Sequence, residues 1–332
     1  MSSPFCSIIV LNYEGEKFLA QTIDSLLALD YPKNRYEIIV VDNASTDRSR
    51  EIIHTLAHSI SPSLTSQVKS GPSVYSISLQ KNVGFAAGNN VGIKEAKGKY
   101  VALLNNDCTV DKDWLSELIS VIEKDDQTFA VNSKIYLANT NKIQNAGIKI
   151  FSNGYAQDRG AVPKNKIQDY EEDKDQYDKE EEVDAACAAA VLYRRSILDK
   201  IGLFNEDFFL YYEDVEISQR AKKKEYKIMY APHAKAYHIH AVSSKEWSPF
   251  FIYHSEKGRL LHVLLHFPFS VFIKEFAIFS IRAKMRFFIR LFTNPKSTPK
   301  NWQYLRVRWY FIFNLPLLLF KKTMYEKNSR HL

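Results

Sequence analysis

The side chains able to do chemistry fall into three groups. Asp42 closes a buried run, Glu37 to Val41, and Asp107 closes a second, Tyr100 to Leu104, behind Asn105 and Asn106. As parallel strands, the two runs bring both carboxylates to one mouth, because loops and helix N-termini converge on ligands at the carboxyl ends of such strands. Glu213 and Asp214 follow five apolar or aromatic residues, Phe208 to Tyr212. Carboxylates in such a wall are partly desolvated, which raises the pKa and suits the group to removing a proton. The third group is imidazole: His233, His238 and His240, although a lone His beside a strand is more often structural than ligating.

The elements that must position these groups are legible in the periodicity. Residues 1–130 alternate short apolar runs with helical spacing, as βαβ units do. Ser7 to Leu11 reads as the first strand, and Leu19, Ile23, Leu26 and Leu27 share a face of the helix after it. The second strand ends in Asp42-Asn43-Ala44-Ser45-Thr46-Asp47, where Asp42 and Asp47 also have the chemistry of a helix cap. Val74 to Leu79 is the third strand, and a Gly/Ala/Asn-rich turn and a helix lead to the fourth. From Asp169 to Asp184, ten acidic residues stand against only Lys174 and Lys179, which reads as a solvated loop because like charges repel. Arg194-Arg195 reads as a phosphate contact or as a solvated basic pair.

With 332 residues and 45% hydrophobic side chains the chain is too apolar to be disordered. Cys6, Cys108 and Cys187 are far apart and odd in number, so neither a disulfide framework nor a structural zinc site is indicated. The N-terminal apolar run is too short for a signal-peptide core, and Pro268, Lys274-Glu275 and Pro316 break the best candidates for a spanning helix. The formal charge of +7 divides unevenly: from residue 245 onward 16 Lys and Arg face 4 Asp and Glu, a net of +12, which leaves −5 for the rest.

Taken in order, the motifs resemble those of family 2 glycosyltransferases of the GT-A fold. They are Ser7 to Tyr13, Val41 to Asp47, Asn82-Val83-Gly84-Phe85-Ala86-Ala87-Gly88-Asn89-Asn90 and Leu104-Asn105-Asn106-Asp107. Phe208 to Glu216, and Ala236-Tyr237-His238 with Ser243-Ser244, look like the acceptor-half motifs of the rhamnosyltransferase-like branch. The resemblance implies a nucleotide-sugar site formed by Leu11, Asn12, Tyr13, Asp42, Asn82, Gly84, Asn105 and Asn106, with Asp42 on the base. It implies Asp107 and His238 as ligands of Mg²⁺ or Mn²⁺, Asp214 as the catalytic base, and Glu213 and Cys187 on the acceptor side. A hard cation is satisfied by one or two carboxylates plus phosphate oxygens and water, so Asp107 without further acidic neighbours is sufficient. Cys187, in Ala185 to Ala190, stands where the family usually has glycine, which bears on the identity of the acceptor.

Residues 267–320 hold 15 aromatics. On a helix, Lys274, Glu275, Arg282, Arg286 and Arg290 share one arc, and Phe272, Ile273, Phe276, Phe279, Phe287, Ile289 and Leu291 take the other face. That is the composition of a helix lying in a membrane interface, with packing on the domain or in a dimer as the alternative. Basic residues alternating with large apolar ones argue against nucleic acid.

The expectation is an α/β GT-A domain over 1–245, its donor half about 1–130 and its acceptor half about 131–245, followed by a basic, aromatic, helical extension over 246–332. The expected reaction is inverting transfer of a sugar from a nucleotide diphosphate, with dTDP-rhamnose one candidate donor, to a hydroxyl of a surface-glycan or lipid-linked acceptor. The expected setting is the cytoplasmic face of a membrane, with a homo-oligomer allowed. A catalytically silent sugar-binding or scaffold subunit is one alternative. A nucleotidyltransferase is the other, and it would carry a Gly-rich basic loop where this chain has Asn12 to Lys17.

Overall fold

Runs of Ile, Val and Leu without polar breaks suit strands covered on both faces, and the computed structural model places them so. It describes residues 3–60, 71–164, 167–239 and 247–330. The first half runs β1 (Cys6–Asn12), α1 (Leu19–Leu27), β2 (Tyr36–Asp42), α2 (Ser49–Ile60), β3 (Ser73–Ser78), α3 (Phe85–Glu95), β4 (Tyr100–Asn105), β5 (Cys108–Val110) and α4 (Trp114–Ile122). The second half continues with β6 (Thr128–Leu137), β7 (Lys142–Asn145), β8 (Ile148–Ile150), β9 (Ala156–Asp158), β10 (Ala161–Lys164), β11 (Ile167–Glu172), β12 (Glu181–Glu182), β13 (Ala190–Arg194), α5 (Arg195–Ile201), α6 (Glu213–Lys222) and β14 (Lys227–His238). Three helices close the chain: α7 (Pro249–His266), α8 (Phe269–Thr293) and α9 (Thr298–Arg330).

The main sheet runs β10-β11-β7-β6-β13-β4-β1-β2-β3, with β14 beside β6. Strands β4, β1, β2 and β3 are parallel, and β13 enters antiparallel to β4. Alternate residues feed two cores, Ile8, Val10 and Val40 on one face and Ile9, Ile39 and Val41 on the other. In the order β3-β2-β1-β4 the direction of winding reverses at β1/β4, which is where an open α/β sheet leaves a ligand crevice. Asn12, Asp42 and Asn105 end the strands around that point.

Two sequence readings change. The acidic run is not simply a solvated loop: it contributes β11 and β12, and its Asp173 and Asp178 grip the buried Lys134 ammonium at 2.7 and 2.8 Å. Arg194 is neither a phosphate contact nor solvated. It is buried, donating to the carbonyls of Thr128, Ile122 and Asp125 and to the Tyr100 hydroxyl, so it ties β13 to the end of α4.

Helices α7, α8 and α9 form a third core around Leu260, Leu264, Phe272, Phe279, Val307 and Phe311, which Phe208 joins. The aromatic side of α8 is thus largely buried in this packing. Ile273, Ile289 and Leu291 of the expected apolar face are nevertheless exposed, as are Ile281, Met285, Phe288 and Phe292.

Candidate active site

Asn12 is the hub of the donor side. Its Nδ2 donates to Asp42 Oδ1 at 3.2 Å and to Ser45 Oγ at 3.1 Å, and its Oδ1 accepts from Asn106 Nδ2 at 2.9 Å. One buried amide therefore joins the ends of β1, β2 and β4. Gly15 makes room for it, because a Cβ there would fall 2.0 Å from Asn12 Oδ1. Asp42 is fully buried, and its second oxygen accepts from Arg50 Nε at 2.9 Å. Asn82 Oδ1 accepts from Asn43 Nδ2 and from the Gly84 amide, closing the turn in which Gly84 takes φ +87°. Leu11 packs its side chain under Gly88, and Tyr13 stands exposed beside it. The side chains of Asn12 and Asn82 thus hold the frame of the site.

Asp107 and His238 meet across the antiparallel pair β5/β14, where His238 faces Cys108 in register. Asp107 Oδ1 lies 3.1 Å from His238 Nε2, and Asn105 Nδ2 lies 3.5 Å from the same nitrogen. Gln144 Oε1 sits 2.9 Å from His238 Nδ1, so Nδ1 is the donor and Nε2 is the nitrogen turned toward Asp107. Ligand atoms of Asp107, Cys108 and His238 lie within 4.8 Å of one another. Burial pushes the Cys108 thiol up, so it stays protonated and leaves the carboxylate and the imidazole as the fitting pair for a hard cation. His240, Ser243 and Ser244 lie outside the described residues.

Glu213 and Asp214 open α6 behind two residues of left-handed backbone, Tyr211 and Tyr212, each with φ 70°. Asp214 is half-buried and accepts from the amides of Val215 at 2.8 Å and Ala188 at 3.3 Å. Burial raises its pKa above the ordinary carboxylate value, and those amides hold back part of the rise. Glu213 is raised further, by deeper burial and by Asp214 beside it, and its Oε2 has no hydrogen-bond partner among the described residues. Of the two, Glu213 is the harder to ionise. The Cys187–Ala188 segment folds round Asp214, and the neighbouring Ala189 carbonyl accepts from the Asn105 amide at 2.9 Å. The candidate base therefore lies one short backbone bridge from the strand that leads to Asp107.

A cavity of about 570 Å³ adjoins Asp107 and is lined also by Phe18, Thr22, Thr109, Asn141 and Tyr237. It reaches neither Asp42 nor Asp214. The polar groups at the strand ends, rather than that cavity, define the site. Sequence reasoning missed Gln144, whose partner His238 is distant in the chain, and also Arg50 and Gly15, which act on the nearby Asp42 and Asn12. Asn43 was within reach, because it follows Asp42 directly in a turn-forming run.

The profile described as "Glycosyl transferase family 2" matches residues 7–202. Poly(ribitol-phosphate) beta-N-acetylglucosaminyltransferase TarS of Staphylococcus aureus is 27% identical over 119 residues, 36% of this chain and 19% of TarS. Poly-beta-1,6-N-acetyl-D-glucosamine synthase of Staphylococcus epidermidis is 25% identical over 228 residues, 69% of this chain and 48% of the synthase. The chain thus spans less than half the length of these curated relatives. Among solved structures, GalNAc-T7 with UDP, GalNAc and Mn²⁺ superposes with a TM-score of 0.59 at 16% identity, covering 79% of this chain and 48% of that one. S. aureus TarS 1-349 with UDP-GlcNAc gives 0.52 at 19% identity, covering 98% and 89%. Both likenesses concern the GT-A fold.

Proposed function

The chain belongs to glycosyl transferase family 2, and on that premise we propose that it transfers a sugar from a nucleotide diphosphate donor to a glycan or lipid-linked hydroxyl, with Asp214 as the base. The observation that carries this reading is Asp214 itself. It is a half-buried carboxylate with a raised pKa, held by the Ala188 amide next to the strand that ends in Asn105-Asn106-Asp107. A base there removes the acceptor proton as the hydroxyl oxygen attacks the anomeric carbon and the diphosphate leaves from the opposite face, so one displacement inverts that carbon. Glu213, kept protonated, adds no second negative charge beside the nucleophile.

Asp42 offers only acceptor oxygens, which suits the N3–H of a uracil or thymine ring and not the N3 lone pair of cytosine. UDP-GlcNAc, the donor bound by TarS, and dTDP-rhamnose both carry such a ring. Asp107 Oδ1 and His238 Nε2 would hold Mg²⁺ or Mn²⁺, and such an ion supplies charge neutralisation to a leaving diphosphate. Asn105 and Asn106 orient the loop that presents Asp107.

The extension is proposed to rest on a membrane surface, at its cytoplasmic face. Ile281, Met285, Phe288 and Phe292 on α8, and Trp309, Phe313, Leu317 and Phe320 on α9, form two exposed stripes at three- and four-residue spacing. Phe292 and Phe313 are 82% and 75% exposed, and Arg282, Lys284, Arg290, Lys296 and Lys300 are exposed nearby. Aromatic and cationic side chains together favour the headgroup zone of anionic lipid. Among the described residues no helix is long and apolar enough to cross a membrane.

Thermal shift with nucleotide sugars and Mn²⁺ tests the donor reading. Stabilisation by UDP-GlcNAc or dTDP-rhamnose that Asp42→Ala abolishes is expected. Indifference to every pyrimidine nucleotide sugar contradicts it.

A further inference from the structure

Tyr211 and Tyr212 both take φ 70°, immediately before the helix that begins with Glu213-Asp214. Neither residue type favours the left-handed region, so two in succession persist only where neighbours over-determine them. The neighbours are specific. On the donor side, Phe85 N donates to Phe209 O at 2.6 Å, and a Cβ on Gly84 would fall 2.4 Å from the same oxygen. On the other side stands Gly258, buried within α7, where a Cβ would fall 2.8 Å from Tyr211 O and 3.0 Å from the Cβ of Tyr212.

Glycine inside an 18-residue helix weakens the helix, so its presence needs a reason in packing. Here it lets the α7 backbone lie directly against the strained turn. The same helix packs Phe251 edge-on to the Tyr211 ring at 5.0 Å and His262 over Tyr212 at 5.9 Å. The Tyr212 hydroxyl in turn accepts from the Ala156 amide at 3.2 Å.

We propose that Gly258 is a positioning residue for the catalytic base: through it, α7 holds the Tyr211–Tyr212 turn left-handed and thereby sets the direction in which Asp214 is presented. The C-terminal helices are then part of the catalytic frame as well as a surface for lipid. This inference rests on the assignment of Asp214 as the base.

The test uses the full chain carrying Gly258→Ala, with Asp214→Asn alongside and UDP-GlcNAc with Mn²⁺ as the probe. Hydrogen exchange needs no substrate and reads the turn directly. Faster exchange confined to residues 209–216 is expected, with the sheet and the rest of α7 unchanged. UDP release is expected to fall by about 10-fold or more in kcat with donor KM unchanged, since small misplacement of a reacting group costs rate rather than binding. Unchanged exchange at 209–216, or altered exchange with wild-type kcat, overturns the proposal. If Gly258→Ala does not fold, Tyr212→Gly frees the same turn without a clash and is held to the same outcomes. A wild-type rate in Asp214→Asn overturns the base assignment, whereas a dead Asp214→Asn beside an unaffected Gly258→Ala overturns only the positioning role.

Discussion

Asp107 and His238, contributed by opposite halves of the chain, stand 3.1 Å apart between Oδ1 and Nε2. The loop after β4 presents the carboxylate, the last residue of β14 presents the imidazole, and Gln144 on β7 fixes which imidazole nitrogen faces inward. The pair forms only because the second half of the sheet closes on the first.

Removing Gln144 therefore tests the metal reading without touching a ligand. Gln144→Ala is expected to weaken Mn²⁺ activation by about 10- to 100-fold, as loss of an outer partner of a ligating histidine does. His238→Ala is expected to do at least as much. Activity titrated against Mn²⁺ and Mg²⁺ checks both, and unchanged titration curves contradict the assignment.

The pH dependence follows from burial. Asp214 must be ionised to act and its pKa lies above the ordinary carboxylate value, so kcat/KM is expected to fall as pH drops through that raised value. The acid limb then lies higher than for an exposed aspartate. The rise at Asp214 comes from burial and Glu213 ionises only after it, so Glu213→Gln, a neutral side chain for a neutral one, is expected to leave the limb in place. A limb that moves to lower pH shows that Glu213 is charged beside Asp214.

Glu216 binds the C-terminal helix to α6. Burial alone would raise its carboxyl, but Arg220 at 2.8 Å and His266 outweigh that and hold it at about 2. Tyr325 of α9 donates to it at 3.0 Å. A carboxyl depressed in the fold stabilises above its unfolded pKa, and the contribution is lost as pH falls toward 2. Tm is therefore expected to drop between about pH 4.5 and 2 more steeply in the wild type than in Glu216→Gln. Tyr325→Phe is expected to cost about 1 kcal/mol at neutral pH.

For the lipid surface, Phe288→Ser, Phe292→Ser and Phe313→Ser combined change exposed residues and leave the buried helical core alone. Co-sedimentation with anionic vesicles is expected to be lost, and Tm retained. Equal binding by the variant contradicts membrane contact through these stripes.

Periodicity made the donor half readable. Buried runs leading to Asp42 and Asp107 read as parallel strands of βαβ units, and such strands deliver the residues at their ends to a common crevice. Glu213 and Asp214 were legible for a different reason, because an apolar stretch before two carboxylates announces desolvation. Gln144, Arg50 and Gly258 gave no local signal, since each matters through a partner on another element. The acidic run misled because its counter-charge, Lys134, is buried on β6. In the extension the helical arc was readable, but which apolar residues face α9 depends on helix packing, and that assigned Phe272 and Phe279 to the core and Ile273 and Phe292 to the surface.

The most direct measurement is release of nucleotide diphosphate by Asp214→Asn, with donor binding followed in parallel by thermal shift. The account predicts a rate lower by about 10²- to 10⁴-fold, the usual worth of a general base, with the donor still bound. Release at the wild-type rate would contradict it.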